Sequence, residues 1–286
     1  RDTGQRMSEP SLHTFNKLPA ARGLAWLAGS WQLVRRQPVR LLLISLFFQF
    51  FLSFSQADLV GLLVVMCLPA LSAGMLHAFY LVESGKTPML AVLFMPFTAK
   101  VVISRLLLLG GMVLVLSLLL VSMTLAGQVL DVDPQVLSRI EQGDLEALQY
   151  IDPAVMQNTL LSMALAAALG GMLTYFAVPL IWFRKQPVAR AVLLGLTALG
   201  RNWRPLLLIG CLLGLLAVPI ALLFGSFYLS AISGGGSTWL AVLLLLLGPF
   251  FQLLLFGTQY LAFRDIFGLD KQPEGIEDAS GDQLVA

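Results

Sequence analysis

Residues 183–208 carry five basic side chains and no acidic one, between two strongly apolar runs. The five are Arg184, Lys185, Arg190, Arg201 and Arg204. Their chemistry is electrostatic, because a basic residue beside an anionic membrane surface gains about 1 kcal/mol from the headgroups. We predict a basic collar that contacts anionic phospholipid, made of Arg22, Arg35, Arg36, Lys185, Arg190, Arg201 and Arg204. Membrane lipids are the expected partners, membrane proteins are a second class, and nucleic acid is not expected.

Side chains able to perform acid–base, nucleophilic or metal chemistry are sparse in the apolar runs. No Asp or Glu occupies the central third of a run, which argues against a carboxylate relay for protons or sodium. His77 is the one titratable group well inside a run, and we expect a hydrogen-bonded packing residue rather than a gate. Cys67 and Cys211 lack a CxxC spacing and are expected to be small buried apolar residues. The sequence predicts no catalytic residue, no metal site, no cofactor and no enzymatic activity.

A few polar side chains do interrupt the apolar runs. The intramembrane polar candidates are Gln49, His77, Gln252 and Gln259. Side chains of this kind either line a polar cavity or hydrogen-bond between neighbouring helices. We favour hydrogen bonding between helices and keep the cavity as the alternative.

The composition indicates which elements position these residues. Hydrophobic residues make up 58% of the chain and charged residues only 12%, against about 25% charged residues in soluble domains. A helix needs about 20 apolar residues to cross the hydrocarbon core of a bilayer. Six runs approach that length, at 39–55, 59–82, 104–126, 156–182, 206–232 and 239–263. The predicted fold is an all-α polytopic bundle of six transmembrane helices.

The distribution of charge predicts how the bundle is oriented. With six spans and both termini on one side, Arg139 is the only basic residue on the opposite side. Since short cytoplasmic loops collect Lys and Arg, both termini are predicted to be cytoplasmic in a bacterial inner membrane. The acidic loop 127–155 is then periplasmic and contains a short amphipathic helix. A leader at 1–17 and an acidic tail at 269–286 are predicted to be flexible, on either side of a transmembrane domain at 18–268.

Two basic segments between runs have the periodicity of amphipathic helices. In residues 187–203 the apolar positions are Val192, Leu196, Leu199 and Trp203, and before the first run they are Leu24, Leu27, Trp31 and Val34. Such a helix either lies in the membrane interface or packs on the base of the bundle, and both readings fit the pattern. A third segment, at 85–109, places Pro88 and Pro96 in a similar position. We therefore predict three repeats, each an interfacial helix followed by a transmembrane hairpin.

These segments also carry a resemblance to a known family. The stretches "RGLAWLAGSWQLVRRQP", "LPALSAGML" and "RNWRPLLLIG" resemble an uncharacterised proteobacterial family of multi-pass inner-membrane proteins. More distantly, the chain is similar to the YciC-type family of six-span proteins. The likeness covers most of residues 18–268. It implies an inner-membrane location and a helical fold, and it implies no particular activity.

The functional prediction follows from what the residues can and cannot do. We predict a non-enzymatic inner-membrane protein that organises or handles lipids or membrane protein partners. The alternative is a transporter or channel for amphiphilic small molecules. Pro69, Pro179, Pro219 and Pro249 favour that alternative, because a proline inside a span frees a carbonyl and can bend the helix around a cavity. The scarcity of polar groups at mid-depth restricts any cargo to an apolar or lipid-like molecule.

Overall fold

A computed structural model describes residues 16–54, 58–125, 134–141, 150, 153–232 and 238–269. The regular elements of this part of the chain are all helices, as predicted. They are α1 (Arg22–Arg36), α2 (Pro38–Ser53), α3 (Asp58–Glu83), a 3₁₀ helix (Leu90–Phe94), α4 (Met95–Thr98), α5 (Lys100–Leu125), α6 (Pro134–Glu141), α7 (Pro153–Arg184), α8 (Val188–Arg201), α9 (Trp203–Ile232) and α10 (Thr238–Phe267).

Five of the described helices are long and apolar enough to cross a membrane, and they indicate a membrane-spanning protein. Their apolar stretches are Val60–Glu83, Lys100–Met123, Pro153–Arg184, Trp203–Phe227 and Val242–Phe267. The helix of the first predicted run, α2, is apolar but has only 16 residues. At 1.5 Å per residue it is about 24 Å long, so a sixth span remains a prediction. Pro69, Pro179, Pro219 and Pro249 all lie inside helices that continue past them.

The core lies among three helices that pack on one another: α3, α7 and α10, called here the inner helices. Large buried side chains fill the space between them, including Phe79, Phe176, Tyr260 and Phe263. The outer helices are α2, α5 and α9. α2 packs on both α3 and α10, and α5 packs on both α3 and α7. α9 packs on α10 and α1 but makes no comparable contact with α7.

Local sequence explains where the inner helices end. Each is followed by a residue with a left-handed backbone: Gly85 after α3, Lys185 after α7 and Gly268 after α10. This conformation lets the chain turn while a backbone N–H caps the last carbonyls. Lys86 N donates to Leu81 O at 2.8 Å, and Gly268 N donates to Arg264 O at 2.8 Å. Glycine adopts this conformation without a steric cost, whereas Lys185 adopts it with φ of 52°.

Side-chain and backbone contacts bring these helix ends together at one end of the bundle. Arg264 at the end of α10 pairs with Glu83 at the end of α3, and Arg184 at the end of α7 donates to the carbonyl of Phe267. α5 and α9 begin at the same end, where Arg105 donates to the carbonyl of Lys185. We call it the basic end.

Three short helical segments pack on the inner helices at the basic end. α1 crosses α10 where Ser30 lies against Gly257, and the 3₁₀ helix crosses α3 where Leu93 lies against Gly74. α8 follows a turn at 185–187 and packs on α7, with Gly195 against Phe176. At each crossing a glycine lets the two elements approach closely. A short segment therefore precedes each outer helix and lies on an inner helix.

The faces of α1 and α8 that pack on the bundle differ from the predicted apolar stripes. α1 buries Gly23, Trp26, Ser30, Leu33 and Val34, and α8 buries Val188, Ala191, Gly195 and Ala198. Of the predicted positions Val34 is buried, whereas Leu24, Trp31, Leu196 and Trp203 are exposed. On α8 the packed face consists of Val188 and small residues, whereas on α1 Trp26 and Leu33 are packed beside the small residues Gly23 and Ser30. The predicted positions Leu27, Val192 and Leu199 are half-buried against the core.

Several predicted regions lie outside the described residues. They include nearly all of the 1–17 leader and the 269–286 tail, and most of the 127–155 loop. Within that loop the structure describes α6, which agrees with the predicted short amphipathic helix over those eight residues.

Candidate functional site

A charged cleft of about 420 Å³ lies at the basic end, between α1, α3 and the last turns of α10. Its charged and polar lining residues are Arg22, Gln32, Arg36, Glu83, Arg264 and Asp265. Ala25, Trp26, Gly29, Leu33 and Leu261 complete the wall. The cleft therefore joins the first short helix to the ends of two inner helices.

Asp265 is the most connected acid of the cleft. Its carboxylate accepts hydrogen bonds from Arg22 Nε at 2.8 Å, Trp26 Nε1 at 2.9 Å and Arg264 Nη2 at 2.9 Å. The side chain of Asp265 is only 9% exposed. Charge-assisted hydrogen bonds of this kind are roughly twice as strong as neutral ones. Asp265 thereby fixes the N-terminal half of α1 on α10.

Glu83 ties the end of α3 to the same network. It pairs with Arg264 and accepts a hydrogen bond from the Tyr260 hydroxyl at 2.5 Å. Tyr260 is fully buried, so its hydroxyl needs this acceptor. Arg264 bridges Glu83 of α3 and Asp265 of its own helix, and Asp265 in turn holds Arg22 and Trp26 of α1, so the network links three helices. Removing one partner of such a network leaves a charge without compensation, which is costly in a partly buried site.

Part of the cleft remains open to an anion. Three guanidinium groups face two carboxylates, which leaves one net positive charge (3 − 2 = 1) among the lining residues. Arg36 and Gln32 are exposed, and Arg36 has no ion pair with any residue that the structure describes. The site can hold an anionic group at the Arg36 side while the Glu83–Arg264–Asp265 network stays intact.

The other members of the predicted collar are spread around the basic end. The ammonium of Lys185 lies over the ring of Trp182 at 4.4 Å. Burial lowers the pKa of Lys185, and the nearby Arg105 guanidinium lowers that pKa further. Arg190, Arg201 and Arg204 are exposed.

Aromatic rings support two further members of the collar. The guanidinium of Arg204 lies 5.6 Å from the ring centre of Trp203, and that of Arg35 lies 6.0 Å from Trp31. The structure therefore brings Arg22 and Arg36 into one cleft and places the rest of the collar outside it.

The intramembrane polar candidates mostly connect helices. Gln252 accepts a hydrogen bond from Ser45 of α2 at 2.8 Å, and Gln259 donates to the carbonyl of Tyr175 on α7 at 2.7 Å. His77 accepts a hydrogen bond from Trp182 Nε1 at 3.3 Å, which agrees with a hydrogen-bonded packing histidine. Gln49 is half-buried on α2. These contacts agree with hydrogen bonding between helices for Gln252 and Gln259.

The structure also places the two cysteines and side chains that could ligate a metal in the described part of the chain. No group of three or more His, Cys, Asp or Glu side chains there could hold a metal ion. Cys67 is half-buried, and Cys211 is exposed on α9, so the prediction that both are buried was wrong for Cys211. α9 has few neighbours there, and an apolar thiol can face lipid as well as protein. The arrangement can bind and position charged groups.

Sequence reasoning missed the acids of the cleft and two of their partners. Glu83, Tyr260 and Asp265 come together with Trp26 although 239 positions separate Trp26 from Asp265. A local signal was present, because each acid lies at the end of an apolar run, in "YLVES" and "FRDIF". An acid beside the end of a span, at an end of the bundle rich in Arg, predicts an ion pair.

Comparison with known proteins gives no match among protein-family models, curated proteins or solved structures.

Proposed function

We propose that this chain is a non-enzymatic inner-membrane protein that binds and organises anionic phospholipid at its basic end. One observation carries the proposal: α1 and α8 expose large apolar residues directly beside exposed basic residues. On α1 the exposed Trp31 lies beside Arg35, whose guanidinium is 6.0 Å from the ring centre, and Leu24 is exposed two positions after the basic residue Arg22. On α8 and the start of α9, Leu193, Leu196 and Trp203 accompany Arg190 and Arg204. Apolar residues beside basic ones are typical of helices that bind anionic membrane surfaces.

The cleft supports the same function. Its net positive charge and the exposed Arg36 suit a phosphate, and the fixed network of Glu83, Arg264 and Asp265 holds α1 in position. Headgroup binding requires no nucleophile, metal or general base. A membrane protein partner with an acidic surface would use the same charges, and proteomic analysis of the protein purified in mild detergent would reveal it as a stoichiometric band.

The experiment replaces the exposed charges and leaves the paired ones intact. We expect the variant Arg35→Gln, Arg36→Gln, Arg190→Gln and Arg204→Gln to retain several-fold less anionic phospholipid after purification in mild detergent, since each charge contributes up to about 1 kcal/mol. Lipid mass spectrometry measures the ratio of anionic to zwitterionic phospholipid. Arg139→Gln, on α6 at the opposite end, is the matched control. An unchanged ratio in the quadruple variant would show that these charges only orient the protein, and the proposal would fail.

We also propose the six-span topology with cytoplasmic termini and three repeats. Asn16 N donates to Ile266 O at 3.0 Å, so the start of the described chain and the end of α10 lie together. The order of short segment, outer helix and inner helix occurs three times. A cysteine introduced as Ser138→Cys, after Cys67 and Cys211 are replaced by Ala, should react with an impermeant thiol reagent from the periplasm. Labelling that requires access to the cytoplasm would contradict this topology.

A transporter of amphiphilic small molecules is the second candidate, because an apolar groove opens between α7, α9 and α10. Transport requires a second access state in addition to a binding site. Movement of a fluorescent short-chain phospholipid between leaflets of reconstituted vesicles, absent from protein-free vesicles, would favour the transporter over the organising function.

A further inference from the structure

A second concave surface, separate from the charged cleft, lies between α7, α9 and α10. It has a volume of about 360 Å³. Gly210, Gly214 and Ala217 of α9 form one wall, and Phe251 and Leu255 of α10 with Tyr175 of α7 form the other. Leu199 and Leu206 lie at the end nearest the basic end. The surface is almost wholly apolar.

The groove exists because one outer helix packs differently from the other two. α5 closes on both α3 and α7, and α2 closes on both α3 and α10. α9 packs on α10 and α1 and makes no comparable contact with α7. A Cβ added at Gly210 or Gly214 would meet no atom within 4 Å, whereas one added at Gly110 of α5 would meet the Met66 backbone. The open glycines of α9 therefore line a furrow.

The dimensions of the furrow suit one hydrocarbon chain. From Leu206 to Ala217 it follows eleven residue steps of α9, or about 16 Å at 1.5 Å per residue. Glycines four residues apart lie on the same side of a helix and make a narrow track. An extended acyl chain fits such a track along its length.

The charges at the mouth identify the group attached to that chain. Trp203 precedes Gly210 by seven positions, or two helical turns, so both lie on the same side of α9, and the guanidinium of Arg204 lies 5.6 Å from the ring centre of Trp203. No acid occurs in residues 183–208. A chain entering here from the basic end would place a phosphate beside Arg204, whose guanidinium is exposed over Trp203.

Charge also distinguishes a lipid from a second copy of the chain. Glycines spaced as Gly210 and Gly214 mediate the association of some transmembrane helices. Two parallel copies of α9 packed through those glycines would bring two Arg204 side chains and their basic neighbours together. Like charges at close range oppose that arrangement, whereas a phosphate is attracted to them.

A polar group inside the groove fits an ester-linked chain. Tyr175 contributes to the groove wall, and its hydroxyl makes no hydrogen bond with any of the described residues. A phenol in an apolar setting gains from a hydrogen-bond acceptor. The ester carbonyl of a glycerophospholipid supplies one close to the start of its acyl chain.

We propose that the groove binds one acyl chain of a phospholipid, with the lipid phosphate beside Arg204. The proposal deepens the lipid-binding function proposed above and rests on it. It differs from ordinary lipid coating because it names one site, defined by Gly210 and Gly214 and by the charge at the mouth.

The test uses the full-length protein in phosphatidylcholine vesicles that contain a small fraction of phosphatidylglycerol with a photoactivatable diazirine on one acyl chain. After illumination, we expect cross-links to concentrate on residues 206–217 and 251–258. The double variant Gly210→Leu and Gly214→Leu should fill the groove and lower this cross-linking at least about fivefold, equivalent to about 1 kcal/mol. Its added side chains enter open space, so we expect it to fold.

The matched control is Gly225→Leu, on the same helix but outside the groove, where an added Cβ also meets no atom within 4 Å. It should retain wild-type cross-linking. Tyr175→Phe should lower the yield about twofold to tenfold, as expected for one lost hydrogen bond.

Two outcomes would overturn the proposal. Cross-links spread equally over other exposed apolar residues, such as Leu108 and Leu222, would show lipid coating without a site. A wild-type dimer that the double Leu variant converts to a monomer, with no cross-links in the groove, would identify the partner as a second copy. Equal labelling of the groove by a phosphatidylcholine probe would support the groove, since that lipid also carries an acyl chain and a phosphate, and would contradict only the anionic preference of the function proposed above.

Discussion

Two sectors of the bundle use glycine in opposite ways. In the sector of α3, α5 and α7, Gly110 lies against the backbone of Met66. A Cβ added at Gly170 would lie only 2.9 Å from the Val113 side chain. In the sector of α7, α9 and α10, Gly210 and Gly214 face open space. The first pair of glycines lets helices close on one another, and the second pair leaves a groove. The same residue type therefore marks a sealed contact in one sector and an open surface in the other.

Overall burial separates the two outer helices less than their glycines do. In the apolar stretch of α5, 17% of the residues are buried, against 11% in α9. Lipid tails are as apolar as Leu, so an exposed Leu in a membrane carries no hydrophobic penalty. What decides whether α9 closes on α7 is therefore packing and hydrogen bonding. The sectors differ in both.

The largest expected effect is that of Gly110→Ala, which tests the closed sector. The added Cβ would meet the carbonyl oxygen of Met66, and the backbone cannot move aside cheaply. We expect a loss of about 1–3 kcal/mol in the free energy of unfolding, as for an overpacked core. Unfolding in mixed micelles, with increasing sodium dodecyl sulfate, measures it.

The neighbouring glycine provides the control for that measurement. At Gly111 an added Cβ would approach the Met66 sulfur at 3.9 Å, an ordinary contact. Gly111→Ala should therefore leave stability nearly unchanged. Equal stability of the two variants would mean that α3 and α5 are not in close contact at Gly110.

Much of this contrast lies beyond what the sequence could predict. Apolar runs predicted five long helices within four residues at each end, because the need to satisfy backbone hydrogen bonds in lipid leaves few alternatives. Hydrophobicity could not show which face of α1 or α8 packs on the bundle and which is exposed, since lipid and the protein interior accept the same apolar side chains. The predicted positions Leu24 and Leu196 are therefore exposed, while small residues such as Gly23 and Gly195 lie on the packed faces.

The charged cleft was hidden for a different reason. Arg22, Glu83 and Asp265 are brought together by tertiary packing, and no local spacing relates them. The predicted collar did not distinguish Arg22, which is paired with Asp265, from Arg36, which is exposed. Only the crossing of α1 over α10 makes that distinction.

A smaller effect is expected from hydrogen bonds between outer and inner helices. Ser45 of α2 donates to the Gln252 side chain at 2.8 Å and lies 2.9 Å from the Pro249 carbonyl. Ser45→Ala should lower the free energy of unfolding by about 0.6–1.7 kcal/mol, the range measured for such bonds in membranes. Ser226→Ala on α9 is the control, because Ser226 donates to Leu222 of its own helix. If both variants lost the same free energy of unfolding, the hydrogen bond from Ser45 of α2 to α10 would not stabilise the protein more than the bond that Ser226 makes within α9.

The smallest expected effect is that of Gly210→Ala, and its sign tests the open sector directly. An added Cβ at Gly210 meets no atom within 4 Å, so the substitution creates no clash. Alanine also allows the unfolded chain fewer conformations than glycine does. In a helix, alanine is therefore more favourable than glycine by up to about 1 kcal/mol. We expect unchanged or slightly higher stability in the same micelle titration. A loss comparable to that of Gly110→Ala would mean that α9 closes on α7 as α5 closes on α3, and the groove would then be absent in the folded protein. The comparison between the two glycines thus separates a packed helix contact from the open surface that we propose binds lipid.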